Sequence, residues 1–434
     1  MDSTYLDLVR ERIVVFDGAT GTYLQAVDLS LDDYGGPQFE GCTDILCVTR
    51  PDVISQMHRD YFEAGADVVE TNTFGAFGVP LGEYQIPERA HEISLAGAQL
   101  ARAVADDMST PDRPRFVAGS MGPGTKFASL GNIRYAELRD LYEIQAAALI
   151  EGGVDLLIIE TQFDLLGVKA AMNGSRAAMA ASGRQVPMQV QVTIELTGRM
   201  LPGTEISAAL AALDPMRPDL IGLNCATGPT EMGEHLRYLS QHARMPISVL
   251  PNAGLPSVVD GKMHYDLTAE DFVAHQTRFI NDFGVQVVGG CCGTTPEYIR
   301  QLATAVEGMT PAPRHPVHED GTASMYSFAP FHPEGATAAS SFTIIGERTN
   351  ANGSKKFREA LLVGDWDLTA QMAKDQVKEG ANILDVCVDY VGRDGTLDMD
   401  EVARRFTTQS AVPLVMDSTE PQVMEAGLQW LGGR

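Results

Sequence analysis

Residues 136–161 read AELRDLYEIQAAALIEGGVDLLIIET. The first part of this stretch, up to Gly153, spaces its apolar residues with the period of an α-helix. The second part is a short apolar run with β-branched residues that ends in Glu160 and Thr161, which is typical of a strand. Because a run that is apolar on both faces needs cover on both sides, the stretch predicts a helix followed by a strand of a parallel sheet.

The same unit recurs through the first 290 residues. Residues 51–66, PDVISQMHRDYFEAGA, repeat the helical period, and further apolar runs repeat the strand. The predicted strands are RIVVFDG, ADVVETN, RFVAGSM, VDLLIIET, PMQVQVT, DLIGLNC, ISVLPNA and VQVVGGCC, which begin at residues 12, 66, 115, 154, 187, 219, 247 and 285. Eight parallel strands predict an α/β protein with a (β/α)8 TIM barrel, and the alternative is an open, doubly wound sheet.

A second, shorter array follows a change in composition. Residues 311–340 are rich in Pro, Ser, Ala and Gly and show no period, so they predict a linker between a first domain at 1–310 and a second at 341–434. SFTIIGERTN, ANILDVCVDY and VPLVMDST predict three strands after it, with helices in LTAQMAKDQVKEG and MDEVARRFTTQS. Three βα units cannot close a ring, so the second domain is expected to be an incomplete, truncated barrel.

Charge and cysteine usage exclude several classes of protein. The 434 residues carry a formal net charge of −26 at pH 7, which disfavours nucleic acid and anionic membrane surfaces as partners. The opening residues, MDSTYLDLVRERIVVF, do not resemble a secretory signal, and no run approaches the roughly 18 apolar residues of a membrane span. Six cysteines are too sparse for a disulfide framework, so we expect a cytoplasmic protein with free thiols.

Three of the cysteines occupy equivalent places in the repeat. Cys225 ends the sixth predicted strand, and Cys291 and Cys292 end the eighth. Since residues after the strands of such a barrel face one mouth, the three thiols are expected to meet there. Three protein ligands with a vacant fourth position are typical of catalytic zinc. The alternative is that they are small buried side chains, and this interpretation is preferred for Cys42, Cys47 and Cys387.

Longer motifs around these cysteines resemble the homocysteine S-methyltransferase family. The matching segments are GLNCATGP at 222–229, VGGCCGTTPEYI at 288–299, FDGATGTYLQ at 16–25, ETNTFGA at 70–76 and PNAGLP at 251–256. The resemblance implies that Cys225, Cys291 and Cys292 bind Zn²⁺, at which homocysteine becomes a thiolate that attacks a methyl group. It also implies that Asp17 and Gly18, with Glu160, bind the ammonium and carboxylate of homocysteine. Glu160 is alternatively a structural carboxylate bonded to nearby backbone, and Glu70 has no assigned role.

The C-terminal segment resembles a different family. TIIGERTNANGSKKF at 343–357, with ILDVCVDY and LVMDST, is similar to the start of the pterin-binding barrel of cobalamin-dependent methionine synthases. The resemblance implies that Glu347, Asn350, Asp385 and Asp417 lie toward the pterin. Cys387 stands where many members of the family have Asn, so a polar contact is in doubt there.

The resemblance also implies the cofactors and partners. Methylcobalamin is expected to be held by a cobalamin-binding module outside this chain, since no D-x-H-x-x-G segment is present. The ultimate donor is then 5-methyltetrahydrofolate. A methyltransferase that uses betaine or S-methylmethionine, and a zinc-binding scaffold without catalysis, remain alternatives. The glycine-rich GSMGPGTK at 119–126 departs from the phosphate-binding P-loop pattern and is interpreted as an ordinary loop.

Overall fold

The computed structural model describes residues 3–259, 262–331 and 342–434. Strands in this part of the chain are β1 (Val14–Val15), β2 (Val68–Glu70), β3 (Phe116–Met121), β4 (Leu156–Gln162), β5 (Met188–Val192), β6 (Leu220–Asn224), β7 (Ile247–Leu250), β8 (Pro256–Val259), β9 (Lys262–Tyr265), β10 (Val287–Val288), β11 (Gly321–Ala323), β12 (Phe328–Pro330), β13 (Ile345–Gly346), β14 (Ile383–Val386) and β15 (Leu414–Met416).

The α-helices in the same part of the chain are α1 (Thr4–Glu11), α2 (Thr20–Gln25), α3 (Leu46–Thr49), α4 (Pro51–Ala64), α5 (Gly78–Glu83), α6 (Ala90–Met108), α7 (Tyr135–Glu151), α8 (Leu165–Ser182), α9 (Ile206–Leu213), α10 (Pro229–His242), α11 (Ala269–Phe283), α12 (Pro296–Val306), α13 (Lys355–Val363), α14 (Trp366–Lys378), α15 (Gly395–Gln409) and α16 (Pro421–Leu428). Over the described residues, no helix is both long and apolar enough to span a bilayer.

The N-terminal sheet is a ring of parallel strands. Its order is β1-β10-β7-β6-β5-β4-β3-β2. A bridge between Phe16 and Val68 joins the two ends, where the Asp17 amide donates to Val68 O at 3.0 Å and the Asp67 amide donates to Val15 O at 2.7 Å. Each of the eight predicted strand segments overlaps one strand of this ring, so the predicted TIM barrel is confirmed and the open sheet is wrong.

The barrel interior is closed at its N-terminal end by α1, which the sequence analysis did not predict. Tyr5 on this helix is fully buried and donates a hydrogen bond to Gln189 Oε1 at 2.8 Å. Its ring packs edge-on against Phe16 and Phe116. Because this end is plugged by aromatic side chains, access to the interior is left to the mouth formed by the carboxyl ends of the strands.

Strands β6 and β7 are closely packed at Gly222. A Cβ at Gly222, within β6, would lie 2.1 Å from both the backbone O and Oγ of Ser248 on β7. Gly222→Ala is therefore expected to lower the free energy of unfolding by about 2 kcal/mol or more, since overpacking a core costs roughly 1–3 kcal/mol. Urea unfolding followed by circular dichroism measures the change.

Gly233→Ala is the matched control for this substitution. Gly233 lies in α10, and a Cβ there meets nothing within 4 Å. This change is expected to leave stability equal or raise it by up to about 1 kcal/mol, because alanine has the higher helix propensity. Equal unfolding midpoints for the two variants would contradict the packing argument.

The C-terminal residues form the second βα array that the sequence predicts. Strands β13, β14 and β15 are parallel in that order, and α13 to α16 pack beside them. The three strands form an open sheet, as three βα units should. The fold class of this segment is therefore confirmed as part of an α/β array.

The proposed linker contains structure that its composition did not indicate. β11 and β12 pair as an antiparallel hairpin, and the Glu205 amide of the barrel donates to Tyr326 O at 2.8 Å within it. The last part of the linker, residues 332–340, lies outside the described residues. The domain boundaries at residues 310 and 340 stay a prediction.

Candidate metal and substrate site

Three cysteine sulfurs meet at the mouth of the barrel. Cys225 follows β6, and Cys291 and Cys292 follow β10, so the two segments flank the end of β7. The Sγ atoms lie within 4.8 Å of one another, and those of Cys291 and Cys292 are 4.0 Å apart. Sulfurs bound to one zinc at about 2.3 Å in tetrahedral geometry are separated by about 3.8 Å. The cluster therefore fits a single zinc ion.

The segment after β7 ties both cysteine turns together. The Cys225 amide donates to Leu250 O at 3.2 Å, and the Cys291 amide donates to Pro251 O at 2.9 Å. The Ala253 amide in turn donates to Cys292 O at 2.9 Å. These backbone bonds hold the two cysteine turns beside each other.

The backbone around the cysteines is strained or crowded. Cys225 and Ala226 adopt left-handed conformations, with φ of 59° and 56°, which non-glycine residues rarely do. Gly290 precedes the cysteine pair, and a Cβ there would lie 2.2 Å from Thr294 Oγ1. Such strain persists only where the surrounding structure imposes it, and it is typical of functional sites.

The three thiols share protons unequally. Hydrogen bonds from Cys225 and Cys291 lower the pKa of Cys292 to about 3. Hydrogen bonds to the other two sulfurs, together with burial, raise the pKa of Cys291 well above its ordinary value. For Cys225, the hydrogen bond with Cys291 lowers the pKa, but the bond with Cys292 and burial outweigh it and raise the pKa to about 12. Three thiolates this close to one another repel, so a cation favours the ionisation of all three sulfurs.

The sulfurs line a cavity of about 240 Å³ together with buried carboxyl groups. None of the described residues that line it is Lys, Arg or His. The lining residues are Gly18, Ala19, Thr20, Gly21, Thr22, Thr43, Glu70, Thr71, Asn72, Phe74, Ser120, Glu160, Thr161, Asn224, Cys225, Gly290, Cys291 and Cys292. A cavity with acidic groups and no basic ones favours a ligand that brings its own positive charge.

Glu160 lies near the end of β4 with only 4% of its surface exposed. Ser120 Oγ donates to its Oε1 at 2.6 Å, and Asn224 Nδ2 donates to its Oε2 at 3.2 Å. Burial, with the charge of Cys292, raises the pKa of Glu160 to about 7, while the hydrogen bonds from Ser120, Glu70 and Asn224 oppose the rise. Both of these donors are side chains. The alternative stated above, in which Glu160 bonds nearby backbone, assumed backbone donors instead.

Asp17 and Gly18 follow β1 and contact neighbouring parts of the barrel mouth. Asp17 is buried and its Oδ2 accepts a hydrogen bond from the Glu70 amide at 3.0 Å, so its carboxylate holds the end of β2. Burial raises the pKa of Asp17 well above its ordinary value. A Cβ at Gly18, which lines the cavity, would lie 2.8 Å from Thr294 Oγ1. Gly18 therefore also permits close packing between two loops of the mouth.

Glu70, Ser120 and Asn224 are cavity residues that the sequence analysis did not assign. Glu70 is half-buried, and its Oε1 is inaccessible to solvent and has no hydrogen-bond partner among the described residues. Burial, followed by the charges of Glu160 and Asp17, raises the pKa of Glu70 well above its ordinary value. All three residues stand at or near the ends of barrel strands, so the strand-end rule used for the cysteines is the signal that identifies them.

Three of the four residues expected near a pterin lie together in the second array. Asn350 Nδ2 donates to Asp385 Oδ2 at 2.8 Å and to Asp417 Oδ2 at 3.2 Å. Burial raises the pKa of Asp385, and the charges of Asp417 and Glu347 add to this rise. Glu347 itself is exposed. Cys387 is buried beside this group, and Asn352 Nδ2 lies 3.7 Å from its Sγ.

Comparisons with known proteins match both parts of the chain. The sequence model of a family described as homocysteine S-methyltransferase matches residues 14–306, and one described as pterin binding enzyme matches residues 346–434. The methionine synthase of Mycobacterium tuberculosis is 51% identical over 433 residues, and that of Mycobacterium leprae is 50% identical over 438. Each alignment covers 100% of this chain, which spans 36% of the length of either relative.

A solved structure shares the fold of the barrel. The metallated form of the homocysteine methyltransferase MmuM from Escherichia coli superposes with a TM-score of 0.56 at 23% sequence identity. The alignment covers 68% of this chain and 97% of that protein. At this identity the likeness supports the barrel fold alone.

Proposed function

The chain belongs to the homocysteine S-methyltransferase family, and from this membership we propose that it prepares the thiol of homocysteine for attack on a methyl group. One observation carries the proposal. A single cavity holds three cysteine sulfurs that fit one metal ion, together with the carboxyl groups of Glu70 and Glu160, which suit an ammonium group. Homocysteine has a thiol that can bind the metal and an ammonium group that can pair with a carboxylate, so it suits both parts of the cavity.

We infer that Cys225, Cys291 and Cys292 hold zinc. Three cysteine ligands leave one position of a tetrahedral zinc for the substrate, as in other catalytic zinc sites. Zinc, when bound there, lowers the pKa of a substrate thiol and so supplies a thiolate nucleophile at neutral pH. The chain itself holds the three sulfurs at short range through the backbone bonds of the segment after β7.

We propose that the amino-acid end of homocysteine is bound by Glu160 and by the turn at Asp17 and Gly18. Glu160 offers a carboxylate that is buried yet held by two donors, which suits an ion pair with an ammonium group. Glu70 lies beside it in the same cavity. Gly18 permits the backbone of its turn to approach the substrate carboxylate closely. The role of Asp17 is indirect: its carboxylate accepts a hydrogen bond from the Glu70 amide and so positions the end of β2.

We propose methylcobalamin as the methyl donor and 5-methyltetrahydrofolate as its ultimate source in a longer protein. The pterin-binding match at residues 346–434 supports this choice, since betaine or S-methylmethionine would require no such segment. The name of the mycobacterial relatives, methionine synthase, agrees with it. A cobalamin-binding module is then the partner of the barrel mouth, and Glu347, Asn350, Asp385 and Asp417 lie toward the pterin.

We also propose that the protein acts in the cytoplasm. The three clustered thiols must stay reduced to bind a metal, and a reducing compartment keeps them so. The Sγ atoms of Cys291 and Cys292 are only 4.0 Å apart, so oxidation could join them to each other and remove two of the metal ligands.

A donor assay tests the proposed function. The zinc-loaded chain is mixed with homocysteine and either free methylcobalamin, betaine or S-methylmethionine, and methionine is quantified. We expect methionine with methylcobalamin and none above the enzyme-free control with the other two donors. Methionine formed from betaine or S-methylmethionine, with none from methylcobalamin, would contradict the choice of donor.

X-ray absorption at the zinc edge separates an enzyme from a non-catalytic scaffold. The proposal requires that added homocysteine replaces a nitrogen or oxygen ligand by a fourth sulfur, because its thiol takes the open position. A coordination shell that homocysteine leaves unchanged would favour the scaffold.

A further inference from the structure

Asn224 makes hydrogen bonds to two different parts of the cavity wall. Its Nδ2 donates to Glu160 Oε2 at 3.2 Å and to Thr161 Oγ1 at 2.8 Å. Its Oδ1 accepts from the Thr161 amide at 2.7 Å. Asn224 is 1% exposed and directly precedes Cys225. One side chain thus connects the end of β6, where a metal ligand begins its turn, to the end of β4, where the carboxylate lies.

Both segments that Asn224 connects, the end of β4 and the turn after β6, contain a residue in an unfavourable backbone conformation. Thr161 has φ of 54°, and Cys225 has φ of 59°. Left-handed conformations at residues with side chains cost free energy and persist only where other contacts impose them. The short bond between the Thr161 amide and Asn224 Oδ1 is one such contact on the β4 side. On the β6 side, Thr193 Oγ1 donates to Asn224 O at 3.0 Å.

The bonding pattern requires an amide. Asn224 uses its oxygen as an acceptor and its nitrogen as a donor at the same time, and these two roles face different partners. A carboxylate of the same shape can accept from the Thr161 amide but cannot donate to Glu160. It would instead place a second negative charge 3.2 Å from Glu160 Oε2.

We propose that Asn224 is a positioning residue that sets the spacing between the zinc-binding turn at Cys225 and the ammonium-binding carboxylate of Glu160. The inference rests on the proposed function, because it assumes that one ligand uses both groups. Under this proposal, a change at Asn224 weakens ligands that carry a thiol and an ammonium group. Ligands that carry the thiol without an ammonium group are affected little.

Two ligands and two variants test the proposal in the full chain. Homocysteine carries both groups, and 4-mercaptobutyrate has the same thiol chain and carboxylate without the amine. Asn224→Asp is compared with wild type and with Asn173→Asp, a matched change on α8 outside the cavity lining. Zinc content is measured by atomic absorption, and the Kd of each ligand is measured by isothermal titration calorimetry.

We expect Asn224→Asp to retain zinc and to bind homocysteine about 10- to 100-fold more weakly, which is the range for losing a hydrogen bond to a charged group. The Kd of 4-mercaptobutyrate is expected to change less than about threefold, and Asn173→Asp is expected to match wild type with both ligands. Asn224→Ser, which introduces no charge, is expected to show the same ligand-dependent loss and serves where the aspartate variant does not fold.

Three results would overturn the inference while leaving the proposed function intact. The first is equal weakening of both ligands in the Asn224 variants, and the second is loss of zinc, since either would place Asn224 in the metal site. The third is unchanged homocysteine binding. A wild-type chain that binds homocysteine no better than 4-mercaptobutyrate would reject the proposed function, and the positioning role with it.

Discussion

Alanine at Cys225, Cys291 or Cys292 is expected to abolish zinc binding and methyl transfer to homocysteine. The three Sγ atoms lie within 4.8 Å of one another, and each supplies one of the three protein ligands of the proposed site. Loss of a residue that merely orients a ligand already costs about 10- to 100-fold in metal affinity. Loss of a ligand itself is therefore expected to cost more than about 100-fold, and methionine formation should fall by at least as much.

Zinc content and activity are measured on the same preparations. Cys42→Ala is the matched control, because Cys42 is a buried thiol in a separate apolar cluster and burial raises its pKa to about 11. This variant is expected to keep its zinc and its activity. A variant at one of the three clustered cysteines that retains a full equivalent of zinc would contradict the ligand assignment of that residue.

Glu160→Gln is expected to raise the KM for homocysteine by about 100-fold while zinc content stays at the wild-type level. The substitution keeps the shape of the side chain and removes the charge that is proposed to pair with the ammonium group. Losing one partner of a charged, buried hydrogen bond costs about 2–3 kcal/mol, which corresponds to this factor. Steady-state kinetics with saturating methylcobalamin measure the change, and Glu137→Gln on the exposed face of α7 is the control.

The pH dependence of binding adds a second measurement on the same variant. Burial raises the pKa of Glu160 to about 7, so its carboxylate is ionised above that pH and protonated below it. The wild-type affinity for homocysteine is expected to fall as the pH decreases through 7. This part of the pH dependence should vanish in Glu160→Gln and should be absent for 4-mercaptobutyrate. An unchanged KM together with an unchanged pH profile would show that Glu160 has only a structural role.

The contribution of Glu160 to folding stability depends on pH in the opposite direction to its contribution to homocysteine binding. A carboxyl group whose pKa is higher in the folded state than in the unfolded state holds its proton more tightly when folded. The stability that this adds is present below the unfolded pKa and is lost as the pH rises through about 7. Glu160→Gln is therefore not expected to destabilise the fold at pH 8, which separates its effect on binding from unfolding.

Sequence reasoning found the cysteines of the site because their positions follow one local rule. Cys225, Cys291 and Cys292 each follow an apolar strand, and in a parallel barrel all strands end at the same mouth. The rule needs only the strand pattern, which the sequence carries locally. Glu70, Ser120 and Asn224 obey the same rule, but polar residues at strand ends are common and the sequence alone does not separate the useful ones from the rest.

The direction of individual side chains was harder to predict. Asp17 stands in a motif that implies substrate binding, yet its carboxylate accepts from the Glu70 amide. Tyr5 gives no sign in the sequence that it plugs the barrel, since its partner Gln189 is 184 residues away. The hairpin of β11 and β12 lies in a segment whose composition is typical of a linker. For Asp17 and Tyr5 the deciding partner is distant in the chain.

The sequence by itself determined the eight βα repeats, the second array and the three strand-end thiols, because hydrophobic period and strand boundaries are properties of neighbouring residues. Only the tertiary structure decided which polar groups share the cavity and how they bond, as with Asn224 between Glu160 and Cys225. Such contacts depend on how the ring closes and on the stagger between strands. These quantities arise when the whole barrel packs, and no single repeat contains them.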